Sequence, residues 1–241
     1  MAFLAFGYHT VINILNSPYF RFKKIVLCDK YRQDKELLKI LPKNVPINWL
    51  DQENFSRRYN LDKKTQGIVV FIQNYDYASL PALLARQPQR KFPLIIMLDS
   101  IEDPHNFGAI LRTAAALKID GIIIAKKNQV PVNSTVVKVS VGGIAYIPVC
   151  QVDNLGTVIN ELKKKNYKII SMVCEEKVKE YNQLDFDFPT CLILGNEHAG
   201  IRTGLLKKSD YSLTIPMSSN NISSLNVSVS CGIILAQIIG Q

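Results

Sequence analysis

From Pro93 onward, apolar runs of strand length alternate with stretches of helical spacing, and this alternation constrains the fold more than any other feature of the chain. The runs are Leu94–Leu98, Gly121–Ala125, Ala145–Gln151, Lys168–Val173, Thr190–Leu194 and Tyr211–Ile215. Helices are expected over Asn106–Leu117, over Val132–Val141 with Gly142-Gly143 as its stop, and over Asp153–Asn166. Asp153 is the expected cap of the last of these, and Lys163-Lys164-Lys165 suit its C-terminal dipole. A closing helix is expected from about Ser224 to Ile239. Strand–helix alternation of this kind predicts an α/β fold with a mostly parallel sheet and helices on both faces.

The preceding residues read as a smaller α/β unit. Residues 8–16 have helical spacing and stop at Ser17-Pro18, where Pro18 cannot continue a helix. Strands are expected at Lys24–Asp29, Val45–Leu50 and Gly67–Gln73, and helices at Asp34–Leu41, with Asp34 as cap, and Asp51–Tyr59. Residues 77–92 contain Pro81, Pro88, Arg86, Arg90 and Lys91. They are expected to form a helical turn and then a flexible, positively charged hinge between residues 1–76 and 93–241.

Charge narrows the partner class. The formal net charge of +9 is uneven: residues 1–77 carry 12 basic and 7 acidic groups, residues 78–92 three basic and none acidic, and residues 93–241 carry 14 and 13. A basic excess confined to the first 92 residues points to a polyanion such as nucleic acid, the alternative being a soluble basic protein without one. No apolar run approaches the roughly 18 residues of a membrane span. The apolar start has no basic residue before Arg21 and reads as folded chain rather than a signal peptide. The five cysteines are scattered, mostly in apolar runs, and include no CxxC; they read as core residues of a reduced, cytoplasmic protein, with no metal site.

Three polar segments interrupt the apolar pattern where strands should end, the position at which open α/β sheets bind ligands. The first runs from Asp99 to Arg112, with Asn106 and Arg112 expected to face one crevice; Arg112 can hold a phosphate, help take up a proton, or simply reach solvent. The second is Gly195-Asn196-Glu197-His198-Ala199-Gly200-Ile201-Arg202. Ile201-Arg202 stand where a P-loop needs Lys-Ser/Thr, and the chain has no GxGxxG, which argues against ordinary nucleotide folds. Glu197 can contact a ligand or cap a helix, and His198 reads as an exposed loop residue. The third is Ile215-Pro216-Met217 followed by Ser223-Ser224-Leu225-Asn226, where Ser224 and Asn226 bring a hydroxyl and an amide to a helix start.

In this order and spacing, the Asn106-x-Gly108-x-x-x-Arg112 segment, the Leu194-to-Ile201 segment and Ile215-Pro216-Met217 with Ser224-Leu225-Asn226 resemble the three motifs of the SpoU (TrmH-like) branch of the SPOUT RNA methyltransferases. The resemblance covers residues 93–241. It extends to residues 4–76, which are similar to the L30e-like substrate-binding domain of the family's two-domain 23S rRNA members. It implies a SPOUT domain with a deep trefoil knot and an S-adenosylmethionine cofactor bound around Leu194, Gly195, Asn196, Ile215, Met217 and Leu225. It also implies a homodimer whose site is completed across the interface, and methylation of an RNA ribose 2′-hydroxyl. The implied substrate is a guanosine of 23S rRNA, free or in a ribosomal particle, with tRNA as the alternative. Arg112, Asn106, Glu197, Ser224 and Asn226 match the family's catalytic positions. An intact motif set weighs against a non-catalytic RNA-binding factor of the same fold.

Overall fold

The computed structural model describes residues 3–59, 65–88, 90–175, 178–218 and 224–240; Ser223 lies outside them. The first part of the chain forms β1 (Phe3–Phe6), α1 (Tyr8–Leu15), β2 (Phe20–Cys28), α2 (Lys35–Ile40), β3 (Ile47–Leu50), α3 (Gln52–Tyr59) and β4 (Ile68–Tyr75). Its sheet has the order β1-β4-β2-β3, with β4 antiparallel to both neighbours and β2 parallel to β3. Asp34 caps α2 as expected, its Oδ1 accepting from the Leu37 amide at 3.0 Å. Two strands exceed the sequence reading. Phe3–Phe6 becomes β1 because the open edge of β4 pairs with it. β2 begins at Phe20 because Phe20 and Phe22 pair with Tyr75 and Ile72, across irregularities that reset the register around Arg21–Lys24.

After α4 (Leu80–Leu84) come β5 (Leu94–Asp99), α5 (Pro104–Ala116), β6 (Gly121–Ala125), α6 (Ser134–Val139), β7 (Val149–Val152), α7 (Leu155–Lys164) and β8 (Lys168–Met172). The chain ends in β9 (Lys179–Glu180), β10 (Thr190–Gly195), α8 (Thr203–Leu206), β11 (Tyr211–Thr214) and α9 (Val227–Gly240). These seven strands form one sheet, β7-β6-β5-β10-β8-β11-β9, parallel at every described pairing. Alternating strand residues feed two cores, as the period of a strand requires. Leu94, Ile96 and Leu98 join Phe107, Ile110, Val136 and Ile234 from α5, α6 and α9. Ile95 and Met97 join Leu83, Leu155, Ile159 and Leu205 from α4, α7 and α8. Helices therefore cover both faces.

Local chemistry shifts several boundaries. β7 starts at Val149, not Ala145, because Gly143–Ala145 closes into a 3-10 turn and Pro148 precedes the strand without an amide hydrogen. The cap of α7 is Asn154, not Asp153: Asn154 Oδ1 accepts from the Thr157 amide at 3.2 Å, while Asp153 pairs with Lys126. α9 starts at Val227, three residues after the expected Ser224.

The segment expected to be a flexible hinge is tied down. The Ala78 amide donates to the Val149 carbonyl at 2.8 Å, and Leu80 and Leu83 are buried under β6 and β7. Arg86 donates to the Tyr19 hydroxyl at 2.7 Å. Arg90 donates to the carbonyls of Leu117 and Lys118 at 2.8 and 3.2 Å, where the end of α5 leaves acceptors unpaired. The basic side chains of the linker thus hold it in place. The two parts of the chain are also joined directly: the Leu4 amide of β1 donates to Ser134 Oγ of α6 at 3.0 Å, and Ser17 Oγ donates to the Ala145 carbonyl at 3.0 Å.

The cysteines are free, with Cys28, Cys150, Cys191 and Cys231 buried and Cys174 exposed. Burial pushes the Cys150 thiol up to about 11, that of Cys231 up to about 12 and that of Cys191 higher still. A raised pKa leaves almost no reactive thiolate at neutral pH. A thiol titration of the native protein at pH 8 should therefore find one fast-reacting cysteine, rising to five after denaturation. Fast reaction of a Cys174→Ser variant would contradict this burial. Among the described residues, no helix is long and apolar enough to cross a membrane.

Candidate active site

β5 and β10 are parallel neighbours in register, with Leu98 opposite Leu194 and Asp99 opposite Gly195. Their C-terminal ends therefore release the 100–103 and 196–202 loops side by side, at the crevice where parallel sheets place ligands. Asp103 caps α5 by accepting from the His105 amide at 2.8 Å, and Pro104 supplies the first turn. Asn106 then follows, only 8% exposed, facing the second loop.

Asn106 joins the three segments. Its Nδ2 donates to Glu197 Oε1 at 2.5 Å, and its Oδ1 accepts from Asn226 Nδ2 at 2.9 Å. A carboxylate only accepts, so Glu197 fixes which way the Asn106 amide points and hence that Asn226 must donate. Asn226 Oδ1 in turn accepts from the amide and hydroxyl of Ser228 at 2.9 and 2.6 Å, capping the start of α9. One chain of side-chain hydrogen bonds thus runs from β10 through α5 to α9.

The 196–202 loop is built as tightly. Asn196 Oδ1 accepts from the amides of His198 and Ala199 at 2.9 and 3.0 Å, and its Nδ2 donates to the Ser100 carbonyl at 2.8 Å. Asn196 and Gly200 exchange both backbone hydrogen bonds, and Gly200 takes a φ of 68° that suits glycine. A Cβ on Gly195 would lie 2.4–2.6 Å from the Gly200 and Ile201 backbone.

Asp99 locks this loop to β5, a role the sequence reading passed over. Its carboxylate is fully buried, Oδ2 accepting from the Arg202 amide at 2.9 Å and Oδ1 from Arg202 Nε at 2.7 Å. An acid closing an otherwise apolar strand was the available signal, because a buried carboxylate needs donors. Asp99→Ala leaves the Arg202 amide without its acceptor and should destabilise the fold by about 1–3 kcal/mol. Asp99→Asn keeps an acceptor and should cost less. Chemical unfolding of both variants checks the order; equal midpoints for Asp99→Ala and wild type would remove the lock.

The remaining expected residues fall as follows. Leu194 is buried at the end of β10, and Gly195 ends that strand. Ile215 and Met217 leave the end of β11, half-buried and exposed respectively. Ser224 is exposed and Leu225 half-buried just ahead of α9. His198 is exposed. Arg112 departs from expectation. Six residues at about 100° each place it roughly 120° around the helix from Asn106. It opens into a separate depression of about 300 Å³ that Asn13, Gly143 and Tyr146 also line. Among the described residues, Asn106 bonds to the 196–202 loop and Asn226 while Arg112 lines this depression, so the two do not share it.

Known proteins bear on this arrangement. The SpoU rRNA Methylase family matches residues 93–236. An uncharacterized tRNA/rRNA methyltransferase of Mycoplasma pneumoniae is 34% identical over 232 residues, covering 95% of this chain and 94% of that protein. The crystal structure of the SpoU methyltransferase AviRb from Streptomyces viridochromogenes superposes with a TM-score of 0.82 at 22% identity, covering 100% of this chain and 89% of the other. That of an AdoMet-bound rRNA methyltransferase from Sinorhizobium meliloti gives 0.81 at 23%, covering 98% and 86%. The family match spans all three polar segments, the relative matches nearly end to end, and the fold is shared throughout, so the chain belongs to the SpoU rRNA methylase family.

Proposed function

We propose that the protein is an S-adenosylmethionine-dependent RNA ribose 2′-O-methyltransferase acting on a guanosine of 23S rRNA, free or in a ribosomal particle. The observation that carries this reading is the Glu197–Asn106–Asn226 chain, which ties the three motif segments to one another. The residues suit the cofactor. Backbone groups beyond the end of β11 lie past the strand pairing and can bind a polar ligand, while Ile215, Met217 and Leu225 offer apolar surface for a purine, with Leu194 packed in the core beneath. When bound, S-adenosylmethionine supplies a sulfonium methyl that the ribose 2′-oxygen takes as it loses its proton, the sulfur leaving with the bonding pair.

The chain's own residues must then align the hydroxyl, manage its proton and exclude alternatives. Asn106, Glu197 and Asn226 hold the loops in one arrangement, and Ser224 offers a hydroxyl beside them. Arg112 is too basic to act as an ordinary base. Its guanidinium serves to hold the RNA phosphate next to the 2′-hydroxyl and to stabilise the charge that develops as the proton leaves. Since Arg112 faces away from Asn106 on its own chain, the reading requires a homodimer in which Arg112 of one protomer completes the site of the other. Val229 and Ile239, exposed on an α9 that carries no charged residue, support such a contact.

In this reading residues 1–76 are an L30e-like RNA-binding domain, residues 77–92 a linker and residues 93–241 the cytoplasmic enzyme's catalytic SPOUT domain. The basic excess of the N-terminal part supports the first assignment, with Arg32 lying 4.8 Å over the Trp49 ring among its basic and aromatic groups. A trefoil knot belongs to the same proposal, with the family match over residues 93–236 as its support.

The test is transfer of labelled methyl from S-adenosylmethionine to hypomodified RNA, separated into 23S, 16S and tRNA fractions, with nuclease mapping of the labelled ribose. Label on one 2′-oxygen of 23S rRNA is the expected result. Label in tRNA keeps the chemistry and overturns the substrate. RNA binding without transfer to free RNA or ribosomal particles identifies a non-catalytic factor.

A further inference from the structure

The depression around Arg112 is a composite of both parts of the chain. Tyr146 is 59% exposed, which is high for a large aromatic side chain, yet it is not loose. Its hydroxyl donates to Asn13 Oδ1 at 2.8 Å, and Asn13 lies on α1, 133 residues away. Its backbone closes the 3-10 turn through the Tyr146 amide to the Gly143 carbonyl at 3.0 Å. The turn is squeezed between two helices. Gly142 has a φ of 78°, and a Cβ there would meet Asn13 Cβ at 2.9 Å. A Cβ on Gly143 would stand 3.2 Å from Arg112 Cα. One glycine thus admits α1 and the next admits α5, and between them they bring the Tyr146 ring and the Arg112 guanidinium to the same depression of about 300 Å³.

A tethered aromatic ring beside a cation has a specific use for an RNA enzyme. Among the described residues Arg112 has no ion-pair partner, so its charge is uncommitted. The phenol tether removes ring freedom before any ligand arrives, which lowers the ordering cost of binding. Unstacked bases of RNA stack on such rings regardless of sequence, while arginine takes the adjoining phosphate.

We infer that Tyr146, held by Asn13, is the stacking platform for an unpaired nucleobase of the RNA substrate whose neighbouring phosphate binds Arg112. The inference rests on the proposed RNA methyltransferase activity and adds a binding residue to it. It also makes the N-terminal part a contributor to the substrate site, through Asn13, and not only a distant RNA anchor. Tyr146 binds and positions; it takes no part in the proton or methyl transfer.

Steady-state methyl transfer to a 23S rRNA transcript tests the platform. Tyr146→Ala should raise KM for RNA about tenfold or more while kcat changes less than about threefold, in line with the loss of one stacked base. Tyr146→Trp should restore KM, and Tyr146→Phe, which keeps the ring but frees it from Asn13, should fall between. A direct readout needs no catalysis. The chain has a single tryptophan, Trp49, so Trp49→Phe combined with Tyr146→Trp leaves one reporter on the platform. Its fluorescence should be quenched by single-stranded ribo-oligonucleotides. Wild-type KM in Tyr146→Ala, or an unquenched reporter at saturating RNA, would overturn the inference. So would a shift of Tyr146→Ala to a smaller species in sedimentation, which would make the tyrosine a subunit contact. A quenched reporter in a protein that transfers no methyl group would instead remove the proposed activity and leave the stacking face standing.

Discussion

Replacing Arg112 with alanine is expected to lower kcat for RNA methylation by about 10²–10³-fold, the span typical of losing one group that stabilises developing charge at the reacting centre. S-adenosylmethionine affinity should stay within about twofold, because Arg112 lies off the Glu197–Asn106–Asn226 chain and away from the ends of β10 and β11. The fold should be unaffected, since the side chain is exposed on α5. Its position predicts a second behaviour. An inactive Arg112→Ala protomer mixed with an inactive Glu197→Ala protomer should regain activity, because one of the two sites in a mixed dimer combines an intact Arg112 with an intact Glu197. Mixing subunits by mild denaturation and measuring methyl transfer decides this. Recovery to about a quarter of the wild-type rate is the statistical expectation for random pairing with one working site per mixed dimer. No recovery would place Arg112 and Glu197 in the same protomer's site and overturn the shared arrangement.

Gly195→Ala carries the other large effect. The new methyl group would stand 2.4 Å from the Gly200 carbonyl carbon and 2.6 Å from the Ile201 nitrogen, all of it backbone. Backbone cannot rotate aside as a side chain can, so the paired Asn196–Gly200 segment must move as a unit. Such overpacking costs about 1–3 kcal/mol. More consequentially, it displaces Asn196 from Ser100 and Glu197 from Asn106. S-adenosylmethionine affinity should fall at least tenfold and methyl transfer about 10²-fold or more, a tenfold step corresponding to about 1.4 kcal/mol. Calorimetric titration with S-adenosylmethionine separates these effects. Unchanged affinity with lost activity would put Gly195 outside the cofactor's surroundings. Gly200→Ala has open space for its methyl group but a φ of 68°, so it is a milder control that strains the backbone without a collision.

The sequence made the middle of the central sheet legible because β5, β6 and β10 are nearly continuous apolar runs, as burial on both faces demands, whereas the two-residue edge strand β9, Lys179–Glu180, carries no such signal. It also made the polar interruptions legible, but not their partners. Asn106 and Glu197 are 91 residues apart, and no local rule pairs them; parallel alignment of β5 with β10 does. Arg112 parts from Asn106 for a simpler reason: both sit on α5, but six residues leave about 120° between their directions. Asp99 escaped notice because its value lies in Arg202, a residue of another loop. The linker misled through composition. Pro81, Pro88 and three cations suggest mobility, yet each cation's behaviour depends on what acceptors stand nearby, and α5 ends with two beside Arg90.

That docked linker has a bearing on how a substrate is selected. A loose tether lets an RNA-gripping module and a chemical site meet targets at many separations. Here the Ala78, Arg86 and Arg90 contacts, together with those of Leu4 and Ser17, hold the basic N-terminal part at one position relative to the crevice at the ends of β5 and β10. If the protein acts as proposed, such a fixed span would make it a caliper, accepting an RNA whose gripped stem and exposed ribose match that distance and rejecting one a base pair longer or shorter.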